Sequence, residues 1–419
     1  MEAVSGMTER PWTGFFDPAD KRLYAYDSDV DWWRASHMAT LEKPVKVAAR
    51  DGNEWMMPYW KVAEAMVRDQ PETVDAIISS LFAWRTATVS QLRAGLCDMP
   101  LPAFNRHEPG LWGALNRLGI INVGFSRRER IEGITLPQVW VGVGDDAKLV
   151  RHVLDYIGQG RPWLAQVMTS TLWRAMHTHA RHNTFAAHIG LTACRDTRVR
   201  LTAGDGWGAF RLIDPQATRE SGSHAAAGMD TVMLTRDNVL AGIEVQTTAS
   251  ETFMRKLERW ARFLAFSPME RRGMLCVWLF VQSRAADASP NFLPVVHALS
   301  GMPEMTAGDP DVASRMGWAT WEEWYDHGTP TAHWGEYTDM RGMRRSVFDP
   351  MWKEHTPRHV NGVKAVQDWG WRFMRDEMLR IYGWDMSGWA FPPDMRGGFH
   401  GFTPHVVTPG ETDTPEAAI

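Results

Sequence analysis

The sequence predicts an α+β protein: an N-terminal unit of helices and a hairpin, then an α/β core with a mixed sheet, then a Trp-rich C-terminal extension. Three observations predict this. Between residues 71 and 145, three stretches with helical spacing of apolar residues precede two β-rich runs. Between residues 182 and 295, strand and helix patterns alternate around a near-continuous apolar strand. Nine of the 22 tryptophans lie in the last quarter of the chain.

A chain of 419 residues is long enough for two or three domains with large cores. The predicted parts are an N-terminal extension (1–70), the helix-and-hairpin unit (71–145), a helical connector (146–181), the α/β core (182–295), the Trp-rich region (296–407) and a disordered tail (408–419). Within the Trp-rich region one long helix is predicted at 363–382. For the tryptophans of the Trp-rich region, aromatic packing in a loop-rich fold is favoured over stacking on nucleic-acid bases.

In the first unit, helices are predicted at residues 72–87, 89–96 and 109–118, and Gly119 ends the third. Strands follow at residues 120–125 and 136–143, and the segment between them begins with a basic run. Three helices followed by a hairpin with a basic tip are typical of a winged helix-turn-helix. In that layout the third helix enters the major groove of DNA and the hairpin tip contacts the backbone.

Basic and amide side chains on the third helix, just before it and at the hairpin tip are the predicted DNA contacts. They are Arg106, Asn116, Arg117, Arg127, Arg128 and Arg130. Two other interpretations stay open. Winged helices also serve as protein-docking modules, and arginine-rich turns are often only solvated.

The second unit is predicted to start with a helix at residues 183–194 and strands at 199–203 and 208–213. A polar loop at 215–228 precedes a hairpin formed by 231–234 and 239–245, whose turn residues suit a tight turn. An amphipathic helix at 250–265 and a buried strand at 274–282 complete it.

The candidate catalytic residues are Asp230, Glu244, Gln246 and Lys256. Asp230 opens the first strand of the hairpin, and Glu244 and Gln246 end the second. Two carboxylates at one edge of a sheet suit a hard divalent cation, so Asp230 and Glu244 are predicted to bind Mg²⁺ or Mn²⁺, with the carbonyl of Val245 as a third ligand. Gln246 would position water, and Lys256 would supply positive charge. The alternative is that Asp230 caps a turn and Glu244 is a surface acid.

The order of these elements resembles the nuclease core known as PD-(D/E)XK. In that core the two acids bind the metal, and a third polar residue, usually lysine, orients or deprotonates the attacking water.

Both units together resemble the replication-relaxation family of actinobacterial and other Gram-positive plasmids and integrative elements. The resemblance covers roughly residues 70–285. In the first unit it is carried by residues 81–92 (LFAWRTATVSQL) and 110–119 (GLWGALNRLG). In the second unit its residues are His182, Asn183, Met229, Asp230, Ile243, Glu244, Val245, Gln246, Lys256 and Leu257. The resemblance implies a role in replication, nicking or transfer of the DNA of a mobile element.

Two departures from the resembled pattern bear on catalysis more than on DNA binding. Members of the resembled family tend to have an acid at the position of Gln246. Nuclease cores often add a further acid from their first helix, and residues 183–194 of this chain contain none at that place. The sequence therefore also supports a catalytically inactive DNA-binding regulator of replication or transcription. A third possibility is a structural or assembly protein whose Trp-rich region binds a partner.

A histidine-rich stretch holds His177, His179, His182 and His188. On a helix His177 and His179 would point about 200° apart, so solvent-facing histidines on a connector helix are favoured over a metal motif. The cysteines Cys97, Cys194 and Cys276 form no CxxC pair, which argues against a zinc ribbon, and Cys276 lies in an apolar strand as a core residue.

Composition favours a globular protein with no membrane span and a cytoplasmic location, and the winged-helix layout predicts double-stranded DNA as its partner. Hydrophobic residues make up 44% and charged residues 23% of the chain. The longest apolar run, residues 273–281, is far below the roughly 20 residues of a membrane span, and the first residues lack a signal pattern. The net charge of −5 means that DNA must be held by local basic patches. A homodimer and partner proteins encoded by the same element both stay open.

Overall fold

The computed structural model describes residues 17–19, 30–33, 46–48, 54–95, 101–105, 108–126, 139–144, 180–204, 213–222, 228–247, 251–272, 274–281 and 298–356. The fold is mixed α+β and contains a mixed multistranded sheet, as predicted. In the described part of the chain, no helix has the length and apolar character needed to cross a membrane.

The first unit consists of helices packed on a four-stranded antiparallel sheet with the order β1-β5-β6-β4. Its strands and helices are β1 Val30–Trp33, α1 Trp60–Arg68, α2 Pro71–Trp84, β4 Thr86–Thr88, α3 Val89–Gly95, α4 Leu111–Arg117, β5 Ile121–Ser126 and β6 Val139–Val143. A separate small hairpin pairs β2 Lys46–Ala48 with β3 Glu54–Met56. The hairpin tip predicted between β5 and β6 lies outside the described residues.

Strand β4 was not predicted, because residues 72–87 carry one continuous helical pattern. The helix ends at Trp84 since Arg85 adopts a positive φ of 59°, a left-handed conformation that interrupts helical hydrogen bonding. The next residues then pair with β6, from Thr86 opposite Gly142 to Thr88 opposite Trp140. The end of α4 follows the prediction, with Gly119 at a φ of 82°.

The second unit contains a seven-stranded mixed sheet with the order β15-β14-β11-β10-β9-β8-β7. Its elements are α5 Ala180–Arg195, β7 Val199–Gly204, α6 Pro215–Glu220, β8 Thr231–Thr235, β9 Leu240–Gln246, α7 Glu251–Ala265, α8 Met269–Arg272, β10 Met274–Phe280, α9 Val312–Arg315, β11 Met316–Thr320, α10 Trp321–Trp324, β12 Tyr325–Asp326, β13 Thr329–Pro330, β14 Glu336–Asp339, β15 Arg344–Ser346 and α11 Met351–His355. A short 3₁₀ helix, Pro303–Thr306, precedes α9, and β12 and β13 form their own hairpin.

Strands β9, β10 and β11 are parallel. β8 and β14 pair antiparallel to this group, and β7 and β15 pair antiparallel to β8 and β14. Helix α7 is the crossover between β9 and β10. Its buried stripe of Phe253, Leu257 and Trp260 packs in one core with Leu240 and Trp278 of these strands. The alternate residues of the strands face a second core with Phe185 of α5. Both faces of the parallel strands are therefore covered, which explains their unbroken apolar sequence.

Four of the described tryptophans of the C-terminal region pack inside the second core. Trp321, Trp324, Trp334 and Trp352 are buried, and Trp321 stacks on Tyr325 at 4.1 Å between ring centroids. Packing is thus the observed role of these four residues, as favoured from the sequence.

Two parts of the second unit differ from the sequence prediction. The boundary drawn at residue 295 separates β10 from β11, although the two strands pair in one sheet from Cys276–Met316 to Phe280–Thr320. The segment 215–228, expected to be a loop, begins with α6, because Pro215 starts the helix and the Asp214 carboxylate caps it. Short strands and a six-residue helix are too brief to show periodicity in the sequence.

Several predicted features fall outside the described residues: the connector up to residue 179, the strand at 208–213 except its last residue, the helix at 363–382 and the tail at 408–419. Ile213 itself lies beside the start of α6 and is buried.

Candidate active site

The candidate site lies where β9 ends and β8 begins. The two strands pair antiparallel with Thr231 opposite Ile243. Continuing this register by one residue sets Asp230 across from Glu244, and residues directly opposite on antiparallel strands lie on the same face of a sheet. The hairpin that fixes the register turns through Asn238 at a φ of 62°. Local turn chemistry thus brings two carboxylates together that are fourteen positions apart in sequence.

Asp230 is held by two hydrogen-bond donors. Its Oδ2 accepts from the backbone N–H of Val245 at 2.8 Å, and its Oδ1 lies 2.8 Å from Nε2 of His182. Burial acts to raise the pKa of Asp230, but the charge and hydrogen bond of His182, the charge of Lys256 and the N–H of Val245 together hold the pKa below its usual value. Asp230 is therefore an ionised carboxylate fixed at the edge of the sheet.

Glu244 is more deeply buried, with its side chain 3% exposed. Its Oε1 pairs with Nζ of Lys256. Its Oε2 is buried and accepts no hydrogen bond from any described residue. Burial and the nearby charge of Asp230 raise the pKa of Glu244 to about 8. A buried carboxylate oxygen without a partner is costly, so this atom marks a place where a water, a proton or a cation is needed.

Two cationic side chains complete the cluster. Lys256 reaches Glu244 from α7, and His182 reaches Asp230 from the first turn of α5. Burial acts to lower the pKa of Lys256, but Glu244 and Asp230 raise it above its usual value. Burial likewise acts to lower the pKa of His182, and the charge on Asp230 raises it to about 9. Both groups therefore carry positive charge near neutral pH.

The structure brings together three of the four residues proposed as catalytic, Asp230, Glu244 and Lys256. Gln246 is the last residue of β9, two positions from Glu244 on the same face, and its backbone carbonyl accepts from the N–H of Val281 at 2.9 Å. The predicted ligand Val245 contacts Asp230 through its N–H. His182 is the site residue that sequence reasoning missed: it was noted in a histidine-rich stretch, and no spacing linked it to Asp230.

Of the residues proposed to contact DNA, the two that the structure describes, Asn116 and Arg117, are buried. Asn116 is fully buried, and its Nδ2 donates to the carbonyl of Ile121 at 2.8 Å. Arg117 is 2% exposed, and burial lowers its pKa. Helix α1, from the N-terminal extension, packs against α4 and every side chain of α4 is buried. The expectation that Asn116 and Arg117 face DNA is therefore corrected. Arg106, Arg127, Arg128 and Arg130 lie outside the described residues.

His188 also differs from its expected solvent-facing position. It is fully buried, its Nε2 lies 2.7 Å from the carbonyl oxygen of Gly328, and its ring packs near Trp321 and Tyr325. His177 and His179 lie outside the described residues. Cys276 is buried in β10, as predicted, and Cys194 is buried in α5.

The donor set of the cluster suits a hard cation. In the described part of the chain, no group of three or more His, Cys, Asp and Glu side chains is arranged to hold a metal ion. Mg²⁺ does not require such a group, since one or two carboxylates with waters and substrate phosphates complete its shell. Asp230 and Glu244 would hold it, and the buried Oε2 of Glu244 is the atom that fits this chemistry.

Comparisons of the chain with protein-family models, with curated proteins and with solved structures gave no match. The geometry of the carboxylate cluster therefore carries the functional argument.

Proposed function

We propose that this chain is a DNA-binding phosphodiesterase that depends on a divalent cation and nicks or cleaves DNA of a mobile genetic element in its replication or transfer. In this proposal the first unit is a winged helix-turn-helix, the second is a PD-(D/E)XK-like nuclease core, double-stranded DNA is the partner and the protein works in the cytoplasm. The order helix, strand, helix, helix, strand, strand from α2 to β6 supports the first assignment.

The observation that carries the proposal is the meeting of Asp230 and Glu244 at the carboxyl end of β9, with one buried oxygen of Glu244 unpartnered. Ligands of open α/β sheets bind at the carboxyl ends of parallel strands. Perturbed carboxyl pKa values at such an edge favour a functional site, although ion-pair networks can also cause them.

Each residue of the cluster would have its own role in the reaction. A bound cation would lower the pKa of its water and stabilise charge on the phosphate. Asp230 and Glu244 would hold that cation, and His182 fixes the carboxylate of Asp230. Lys256 carries positive charge beside Glu244, where a phosphate would gain negative charge during the reaction. Gln246 would orient water by hydrogen bonding, since an amide cannot accept a proton at neutral pH.

Substitution of Glu244→Gln tests the proposal. The amide keeps the size of the side chain and removes the charge that would bind the cation, so nicking of supercoiled DNA in Mg²⁺ or Mn²⁺ should be abolished while DNA binding is retained. The matched control is Glu258→Gln, an acid 39% exposed on the same helix as Lys256, which should nick normally. Cleavage by the Glu244→Gln variant at the wild-type rate would refute the assignment.

A catalytically inactive DNA-binding regulator is the second candidate. Lys256 and His182 already offset the charges of Glu244 and Asp230, so the cluster is stable as an ion-pair network without a cation. An acid tends to stand at the position of Gln246 in the resembled pattern, and the amide at this position also favours a protein without catalytic activity. On this alternative the wild-type protein retards DNA in a gel but leaves supercoiled plasmid intact in both Mg²⁺ and Mn²⁺.

A further inference from the structure

Two arginines on α7, Arg255 and Arg259, form no hydrogen bond or ion pair with the described part of the protein. Arg255 is exposed and Arg259 is half-buried. In the described ranges, no residue forms a hydrogen bond or ion pair with either guanidinium. Arg262, one turn further along the same helix, differs: it lies 3.7 Å from Glu258 and 3.8 Å from Glu304. Acids of the fold thus offset the charge of Arg262, whereas none of the described acids pairs with Arg255 or Arg259.

Both arginines lie next to Lys256, the member of the carboxylate cluster that α7 supplies. Lys256, which pairs with Glu244, directly follows Arg255 and precedes Arg259 by three residues. Arg259 is close enough to act electrostatically on Lys256. The buried stripe of Phe253 and Leu257 fixes the rotation of α7 about its axis. The side of the helix that carries Arg255 and Arg259 therefore cannot turn away from Lys256 without exposing the core.

The chemistry of the site makes unpaired cations useful there. DNA carries a negative charge on every phosphate, the chain has a net charge of −5, and Asp230 adds negative charge at the site itself. Lys256 and His182 are already paired with the two carboxylates of the cluster, so holding a strand beside them calls for cations that no described acid engages. Arginine suits this task because its planar fork binds phosphate oxygens with two parallel hydrogen bonds.

We propose that Arg255 and Arg259 form a phosphate-binding track that holds a DNA strand beside the carboxylate cluster. The two residues are four apart on a helix, so they are neighbours on its surface and about 6 Å apart along its axis. A B-DNA strand presents a phosphate about every 3.4 Å of its axis, which lets the two side chains contact separate phosphates of one strand. This inference rests on the proposed function and names the residues through which the second unit holds its substrate.

The test compares DNA binding of the full chain with that of the Arg255→Ala/Arg259→Ala double variant. Anisotropy of a labelled duplex in EDTA, over a series of salt concentrations, gives affinity without cleavage. Each lost phosphate contact should reduce the slope of log affinity against log salt by about 0.9, hence by about 1.8 for two, and weaken binding by about 60-fold near 0.1 M salt. Arg262→Ala is the matched control and should match wild type. The double Arg→Lys variant should recover most of the slope.

Two results would overturn the inference, and they differ in what they leave standing. If the wild type binds duplex DNA and the double alanine variant binds with equal affinity and slope, the track is wrong and the proposed function survives. If the wild type fails to bind duplex DNA even at low salt, the track and the DNA-processing function both fall.

Discussion

At the scale of single residues, the cluster of Asp230, Glu244, Lys256 and His182 depends on two kinds of information. The pairing of the two carboxylates follows from the hairpin register, which apolar alternation and turn residues reveal in the sequence. The approach of Lys256 follows from the stripe that orients α7. The contact of His182 with Asp230 follows from the docking of α5, a tertiary arrangement that no local pattern encodes. The sequence could therefore predict three members of the cluster and not the fourth.

Burial of the His188 side chain makes the stability of the fold decrease as the pH falls below 6.5. Burial lowers the pKa of His188 from 6.5 to about 4. The charge of Arg195 makes a smaller contribution in the same direction, and the hydrogen bond to Gly328 acts against both. The unfolded chain therefore binds a proton between pH 6.5 and 4 that the folded protein does not. His188 stabilises the fold above pH 6.5, and this contribution, up to about 3 kcal/mol, is lost as the pH falls toward 4.

The His188→Gln variant should lack this dependence. Its stability at pH 7 should be lower than that of wild type, and the difference should shrink between pH 6.5 and 4. Thermal or urea unfolding at several pH values measures it. His327→Gln changes a histidine whose side chain is 94% exposed and should leave the pH profile unchanged. Parallel profiles for wild type and His188→Gln would contradict the prediction.

At the scale of secondary-structure elements, length and periodicity decide what the sequence reveals. Helices α2 and α7 and strands β9 and β10 have regular apolar spacing and were predicted within a few residues. Strand β4 is only three residues long and directly follows a helical pattern, and α6 is defined mainly by its cap. Elements stabilised by one cap or by pairing with a distant strand leave no periodic trace.

The Asp214 carboxylate caps α6 and connects it to the turn between α7 and α8 and to α8 itself. Its Oδ1 accepts from the N–H groups of Gln216 and Ala217 at the start of α6. Its Oδ2 accepts from Ser267 Oγ and Arg271 Nε, both at 2.8 Å. The Asp214→Ala substitution removes all four bonds and leaves buried donors unpaired, so it should lower the free energy of unfolding by about 3 kcal/mol.

Chemical denaturation measures this cost. Asp237→Ala is the matched control, because Asp237 is 47% exposed and pairs with Lys353 at the surface, a contact worth less than about 1 kcal/mol. Equal losses from the two substitutions would show that the Asp214 network does not stabilise the fold.

At the scale of the whole molecule, the C-terminal region cannot be separated from the core. Residues beyond 298 supply β11, β14 and β15 of the seven-stranded sheet and four tryptophans of the second core. A chain truncated at residue 297 would expose the edge of the buried strand β10 and the part of that core that packs on these tryptophans. It should aggregate or lose cooperative unfolding, which size-exclusion chromatography and circular dichroism would detect.

Co-expression offers the control for truncation. A fragment from residue 298 to the end, supplied together with residues 1–297, should restore soluble protein if strand pairing is what is missing. A stable, cooperatively folding 1–297 fragment would contradict the role of the C-terminal strands. The sequence did not indicate this dependence, because partners in a sheet are set by the fold and not by spacing along the chain.

Helix α5 belongs to both units of the molecule. Its Gly190 lies so close to the ring of Trp84 in α2 that an added Cβ would stand 2.1 Å from the ring. Its backbone carbonyl at Thr184 accepts from Gln91 of α3 at 2.9 Å. Two residues before Thr184 on the same turn, His182 contacts Asp230.

This shared turn has a thermodynamic consequence. Any molecule that binds the first unit and shifts α2 or α3 must also disturb the donor that steadies Asp230, since the intervening contacts are tight packing and a buried hydrogen bond. Reciprocity then requires that whatever occupies the carboxylate cluster changes the affinity of the first unit by the same factor. Ligand binding to either unit would therefore change the affinity of the other unit for its own ligand, through a single turn of α5.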